Sequence, residues 1–199
     1  MIVLDAELEL VPREIWNHRQ VRAYARMFKK KPGELLLDAS FCHAAMKSLE
    51  ENERRGRPDI VHQILLIAFD SPLALEGKIE AYVHTRNGKI FYVPPKTRIP
   101  RNYFRFCGLF AKLLMGESGP IIKRVEKFEI RKPVFILDPK GKLVSADFWR
   151  GKRGTFVVGG FPKGDYKTKI KGERYSIAPY ELTAPAAVSL ILAWILLPS

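Results

Sequence analysis

Arg86-Asn87-Gly88 stands between the β-rich runs KIEAYVHT and KIFYVPP, and no other stretch restricts the folding of this chain so tightly. Asn-Gly supplies the positive-φ residues that a tight hairpin turn needs, so the two flanking runs must pair antiparallel. Proline has no amide hydrogen to donate, and Pro94-Pro95 ends the pairing. A β-hairpin insertion is therefore expected at about 76–97. It delivers the chain into KTRIPRNYFRFCGLFAKLL, residues 96–114.

Strand and helix patterns alternate around the hairpin. Ile2 to Leu10 reads as extended, followed by the helical pattern PREIWNHRQVRAYARMF with Pro12 in its first turn. LLLD at 35–38 reads as a short buried strand, and SFCHAAMKSLEENERR as a helix capped by Ser40 or Asp38. The apolar run IVHQILLIAF, 60–69, suits a central strand covered on both faces. In the second half, PVFILD and TFVVGG are strand patterns, DPKGK a turn, and FPKGDYKTKIKGER a polar loop. TAPAAVSLILAWILLPS, from Thr183 on, is apolar almost all round but shorter than the roughly 20 residues of a spanning helix, so it is expected to be buried, with a subunit interface as its natural cover. Such alternation points to one α/β domain over 1–199, with a mostly parallel sheet.

The charge narrows the partner. Thirty-four basic side chains against 21 acidic give a formal charge of +13, which favours a polyanion, nucleic acid first. Between 96 and 112 there are five basic residues and no acidic one. If a helix begins at Pro100, Arg101, Arg105 and Lys112 share one arc of it while Phe106, Leu109, Phe110 and Leu113 fill another. Ile99 precedes a proline and is held extended, so Arg98 reaches the same place from the loop. In RRGRPDIVH, Asp59 follows Arg57 at a spacing that can pin the guanidinium fork.

Several chemistries lack their motifs. No GxxxxGK[ST] or GxGxxG is present, and four scattered histidines offer no metal spacing, so no metal is expected. Cys42 and Cys107 lie within apolar helical patterns and read as buried thiols. Asp70-Ser71-Pro72 reads as a turn rather than a nucleophile. Asp5 and Glu7 interrupt the apolar start, so no signal peptide is read, no membrane partner is expected, and the expected location is cytoplasmic. GGFPKGD, 159–165, directly after a strand allows close backbone approach to a ligand, although a bare turn explains it equally well.

Taken together, RGRPDIVH with the DSPL turn, the hairpin into RIPRNYFRFCGL, GGFPKGD, and Tyr-Ser-Ile with Tyr180, Leu182 and Ala184 resemble the archaeal Emg/Nep family of small-subunit ribosome-biogenesis methyltransferases, within the SPOUT superfamily. The resemblance runs from about residue 2 to about 197. It implies a SPOUT-type trefoil-knotted sheet flanked by helices, a homodimer, S-adenosyl-L-methionine as methyl donor, and N1-methylation of a pseudouridine in small-subunit rRNA. It assigns rRNA binding to Arg57, Arg98, Arg101 and Arg105, with Asp59 orienting Arg57. Cofactor binding falls to Leu137, Asp138, Gly159, Gly164, Tyr175, Ser176, Ile177, Ala178, Pro179, Tyr180 and Leu182. No general base is assigned, and ribosomal assembly proteins are expected as further partners. The competing expectation is a non-catalytic rRNA-binding assembly factor, suggested by Ala178-Pro179 where the family pattern carries a polar pair.

Overall fold

Uninterrupted apolar or β-branched runs supply the centre of the sheet. In the computed structural model, which describes residues 1–119 and 121–198, IVLDA forms β1 (Ile2–Ala6), with every residue buried. Helices α1 (Arg19–Phe28), α2 (Ala39–Met46), α3 (Pro58–Phe69) and the single turn α4 (Pro72–Leu75) follow. The hairpin strands are β2 (Ala81–Thr85) and β3 (Ile90–Val93); α5 (Tyr103–Met115) and β4 (Lys123–Val125) come next. The remainder is β5 (Val134–Leu143), the turn α6 (Ala146–Trp149), β6 (Thr155–Gly159), β7 (Glu173–Ser176) and α7 (Ala184–Ile195). Pro120 and Ser199, the last residue of the apolar C-terminal stretch, lie outside the described residues.

One seven-stranded sheet runs in the order β4-β3-β2-β1-β6-β5-β7. The five strands from β2 to β7 are mutually parallel, and β3 and β4 add an antiparallel wing. The hairpin is thus continuous with the sheet, with β2 beside β1, and its strands occupy 81–93 of the expected 76–97. On one face Val3, Val83, Phe91 and Val158 meet α3 and α5 through Ile64, Phe106 and Phe110. On the other, Ile2, Leu4, Ile136 and Val157 are covered by Phe128, Tyr166 and Ile170 from connecting segments. Each fully buried phenylalanine contributes about 1.5–3 kcal/mol relative to exposure.

Residues 60–69 are helical, not the central strand their composition suggests. Pro58 occupies the first turn, where its missing amide costs nothing, and α3 is buried on several sides at once, so its sequence carries no amphipathic period. The helix expected from Pro100 begins instead at Tyr103, because the Asn102 side chain caps it by accepting from the Arg105 amide at 3.0 Å. Arg101 therefore precedes the helix. His62 Nε2 sits 2.7 Å from the Pro100 carbonyl and ties that approach to α3. Residues 35–38 make only an isolated bridge, Leu10 with Leu36, and α2 stops at Met46.

DPKG is not a turn after β5 but a looped-out part of it. Tyr175 is the register partner of both Leu137 and Lys142, so Asp138 to Gly141 are extra residues of β5 with no register partner on β7. Gly141 approaches β7 so closely that a Cβ there would lie 2.5 Å from the Tyr175 nitrogen. The segment from Thr183 on forms a helix capped by that threonine and packed on α3 and the sheet. Among the described residues no helix is long and apolar enough to cross a membrane. Cys42 and Cys107 are buried and unpaired, and burial pushes their thiols up to about 11 and about 12.

Candidate active site

The carboxyl ends of β5, β6 and β7 open onto a cleft of about 410 Å³, where an open α/β sheet places its ligands. Leu137, Val158, Ile177 and Leu182 give it apolar walls. All the residues expected to bind cofactor line it except Pro179, which does not reach the lining.

Gly159 ends β6 and Gly160 follows it, and both are closely packed. A Cβ at Gly160 would lie 2.6 Å from the Ala6 Cα, and one at Gly159 would meet the Phe161 ring at 2.8 Å. Gly160 bridges the end of β1, its amide donating to the Leu4 carbonyl at 2.8 Å and its carbonyl accepting from the Glu7 amide at 2.9 Å. The backbone can then turn directly into the cleft wall.

Across the cleft runs the irregular stretch after β7. Among the described residues, the amides of Ile177, Ala178, Tyr180, Glu181 and Leu182 donate to no protein group. Unused main-chain donors beside apolar walls suit a flat heteroaromatic group with polar edges. Asp138 behaves differently. It is buried, and its carboxylate is already engaged by the Lys140 amide at 2.9 Å and by Arg174. Its carboxylate therefore shapes the bulge.

The RNA-assigned residues divide. Arg57 and Asp59 edge the same cleft and form a two-point ion pair, Nε to Oδ1 and Nη2 to Oδ2, both 2.8 Å. This pairing raises the Arg57 pKa and directs the guanidinium fork. Arg98, Arg101 and Arg105 lie exposed at the entrance to α5, outside the cleft lining. Among the described residues, Arg101 has one polar side-chain contact, with Asp70 at 3.5 Å.

Sequence reading missed what fixes the cleft wall. The connector 160–172 is held from below by acids and bases of distant segments. Arg54 is nearly buried; its Nε donates to Glu7 at 2.6 Å, its Nη1 to the Asp165 carbonyl at 2.8 Å, and its guanidinium carbon lies 3.8 Å from the Phe161 ring centre. Arg86, at the hairpin tip, reaches the same Glu7 at 3.1 Å. Asp5 accepts from the Lys167 and Thr168 amides at 2.7 and 3.1 Å. Burial pushes the Asp5 carboxyl up, but its hydrogen bonds with His84, Thr168 and Lys167 outweigh that and hold it well below the usual carboxylate range. Asp5 and Glu7 were visible only as acids interrupting an apolar start, and their partners are 47 or more residues away.

Residues 1–195 match the model of the EMG1/NEP1 methyltransferase family. The "Ribosomal RNA small subunit methyltransferase Nep1" of Thermococcus sibiricus is 41% identical, over 96% of this chain and 94% of its own. Its counterpart in Pyrococcus furiosus is 40% identical over 96% and 93%. The crystal structure of Archaeoglobus fulgidus Nep1 bound to S-adenosylhomocysteine superposes with a TM-score of 0.87 at 36% identity, covering 98% of this chain and 95% of that one. By sequence along nearly its whole length and by fold, the chain belongs to the EMG1/NEP1 methyltransferase family.

Proposed function

We propose that this protein is an S-adenosylmethionine-dependent methyltransferase of small-subunit rRNA in the cytoplasm, and that its target is N1 of a pseudouridine. The observation that carries this reading is the convergence of the Arg57–Asp59 pair and the glycine-bounded strand ends on one cleft. Relatives named for small-subunit rRNA methylation, and a solved relative holding S-adenosylhomocysteine, support its cofactor and substrate class.

Pseudouridine is joined to ribose through carbon, so its N1 carries a hydrogen and can accept a methyl group. In uridine that nitrogen is the glycosidic one. When bound, S-adenosylmethionine supplies an electrophilic methyl group on a sulfonium. Leu137, Ile177 and Leu182 would wall its adenosine, and the unused amides of Ile177, Ala178, Tyr180, Glu181 and Leu182 would meet its polar edges. Arg57, aimed by Asp59, clamps the RNA so that the base presents N1 toward the methyl group; such positioning supplies as much as about 7–11 kcal/mol of barrier reduction. Among the described residues the cleft holds no carboxylate that is both buried and unpaired: Asp59 is committed to Arg57, Asp138 to Arg174 and Lys140, and Asp165 and Glu181 are exposed. No general base is assigned, and the open cleft gives the N1 proton a route to water. Turning the base out costs a few kcal/mol, which phosphate contacts from Arg98, Arg101 and Arg105 offset.

The same proposal includes a homodimer and a threaded chain. Leu190 on α7 and Leu196 and Leu197 just past its end are exposed at 37, 42 and 38%, apolar surface suited to a second copy. The connector 160–172 crosses the face opposite α6, with Tyr166 and Ile170 against Ile136 and Val157, and α7 then returns on the α6 face to meet α3. That path supports a trefoil crossing. A circular permutant opened within 144–154 removes the thread, and unfolding at the wild-type rate would count against it. Titration calorimetry tests the core of the reading: S-adenosylhomocysteine should bind wild type and Arg57→Ala alike, while rRNA hairpin affinity falls in the variant. No cofactor binding at millimolar concentration would sink it.

A further inference from the structure

Phe104 is 50% exposed between Arg101 and Arg105, while its neighbour Tyr103 turns inward and donates to Asp38 at 2.5 Å. The exposed ring does not stand alone. It lies 5.2 Å from Phe28 and 6.3 Å from Phe41, which fix it against the C-terminal corner of α1. That corner reads Arg26-Met27-Phe28-Lys29-Lys30-Lys31, with Met27 66% exposed. Lys29 takes the left-handed cap conformation at φ 52°, so the chain turns there and spreads the lysines around the helix end.

Among the described residues, Arg26, Lys29, Lys30, Lys31, Arg98 and Arg105 make no ion pair. Two acids border the patch: Glu34 accepts from the Lys31 amide at 2.9 Å and sets one negative charge against the four cations of that corner, and Asp70 faces Arg101. A helix C-terminus carries about half a negative charge and is satisfied by a single cation. Four cations exceed that requirement. Unpaired cations around a fixed, half-exposed aromatic ring match the backbone and base of a single strand.

We propose that the surface joining the end of α1 to the start of α5 takes a single-stranded RNA segment flanking the methylated base, with one base stacked on Phe104 and phosphates met by Lys29, Lys30 and Lys31. This rests on the rRNA reading above. It extends the RNA path away from the cofactor cleft, whose lining includes none of these residues.

Fluorescence anisotropy tests it with a small-subunit rRNA hairpin, bare or carrying a single-stranded tail of about eight nucleotides at either end. Wild type should bind one tailed form more tightly than the bare hairpin. Phe104→Ala should lose between about fivefold and about a hundredfold of that gain, and Phe104→Tyr should keep it. Joint replacement of Lys29, Lys30 and Lys31 by Gln should lower the salt slope for the tailed RNA by about two, near 0.7 per lost cation. S-adenosylhomocysteine affinity and circular dichroism serve as controls and should not change. Equal wild-type affinity for tailed and bare hairpins, or variants that bind the tailed RNA as wild type does, would overturn the inference alone. A wild-type protein that binds cofactor but neither RNA would overturn the rRNA reading, and this inference with it.

Discussion

Arg54 illustrates how much of the site rests on side chains that would never touch substrate. It joins Glu7, just past β1, to the Asp165 carbonyl and the Phe161 ring, so one guanidinium adds to the Asp5 and Gly160 contacts that hold the wall of the cleft. Arg54→Met should cost about 1.5–3 kcal/mol in urea denaturation, the worth of a hydrogen bond to a charged group, because Glu7 stays buried but keeps Arg86 as a partner. Cofactor affinity, read by calorimetry on the folded variant, should fall about tenfold; an unchanged affinity would contradict the anchoring. Arg57 gives the opposite pattern. Its pair with Asp59 is more than a third exposed, so Arg57→Ala should move stability by less than about 1 kcal/mol. The loss should appear in RNA affinity and in a salt slope lower by about one. The sequence showed Arg57 because Asp59 lies two residues away. It hid Arg54, whose partners are 47 and 111 residues distant.

At the scale of elements, the hairpin was legible because Asn-Gly acts locally, whereas α3 was misread because its burial is not local. A helix enclosed by the sheet, α5 and α7 loses the polar face that marks a helix. The DPKG bulge was hidden for a related reason: Gly141 is needed where the β7 backbone approaches, and nothing near it in sequence says so. The connector 160–172 depends on Asp5, which occupies a left-handed conformation at φ 52° that asparagine also tolerates. Asp5→Asn therefore isolates the charge. A carboxyl held below its ordinary range stabilises the fold above about pH 4, and that contribution disappears as pH falls through the lowered value. Urea titrations at neutral pH should show Asp5→Asn less stable by about 1.5–3 kcal/mol. The gap should close on acidification below about pH 4; a gap independent of pH would show that the charge is not what holds the connector.

At the scale of the whole molecule, the basic surface at the end of α1 and the start of α5 lies apart from the cleft at the strand ends, where Arg54 reaches the 160–172 connector and Arg57 the edge. Net charge pointed to nucleic acid, and the clustered motifs pointed to the family, but the path of α7 over the sheet could not be read from composition. The exposed leucines on that helix and just past its end yield a test of the proposed dimer: Leu190→Asp should sediment as a monomer in analytical ultracentrifugation where wild type sediments as a dimer, and a variant that sediments as wild type would place the interface elsewhere. The most direct test of the proposed chemistry is mass mapping of two otherwise identical small-subunit rRNA hairpins, one with pseudouridine and one with uridine at the target, after incubation with protein and S-adenosylmethionine. We expect one added methyl group on the pseudouridine RNA alone. Equal methylation of both, or none where cofactor and RNA both bind, would contradict the assignment.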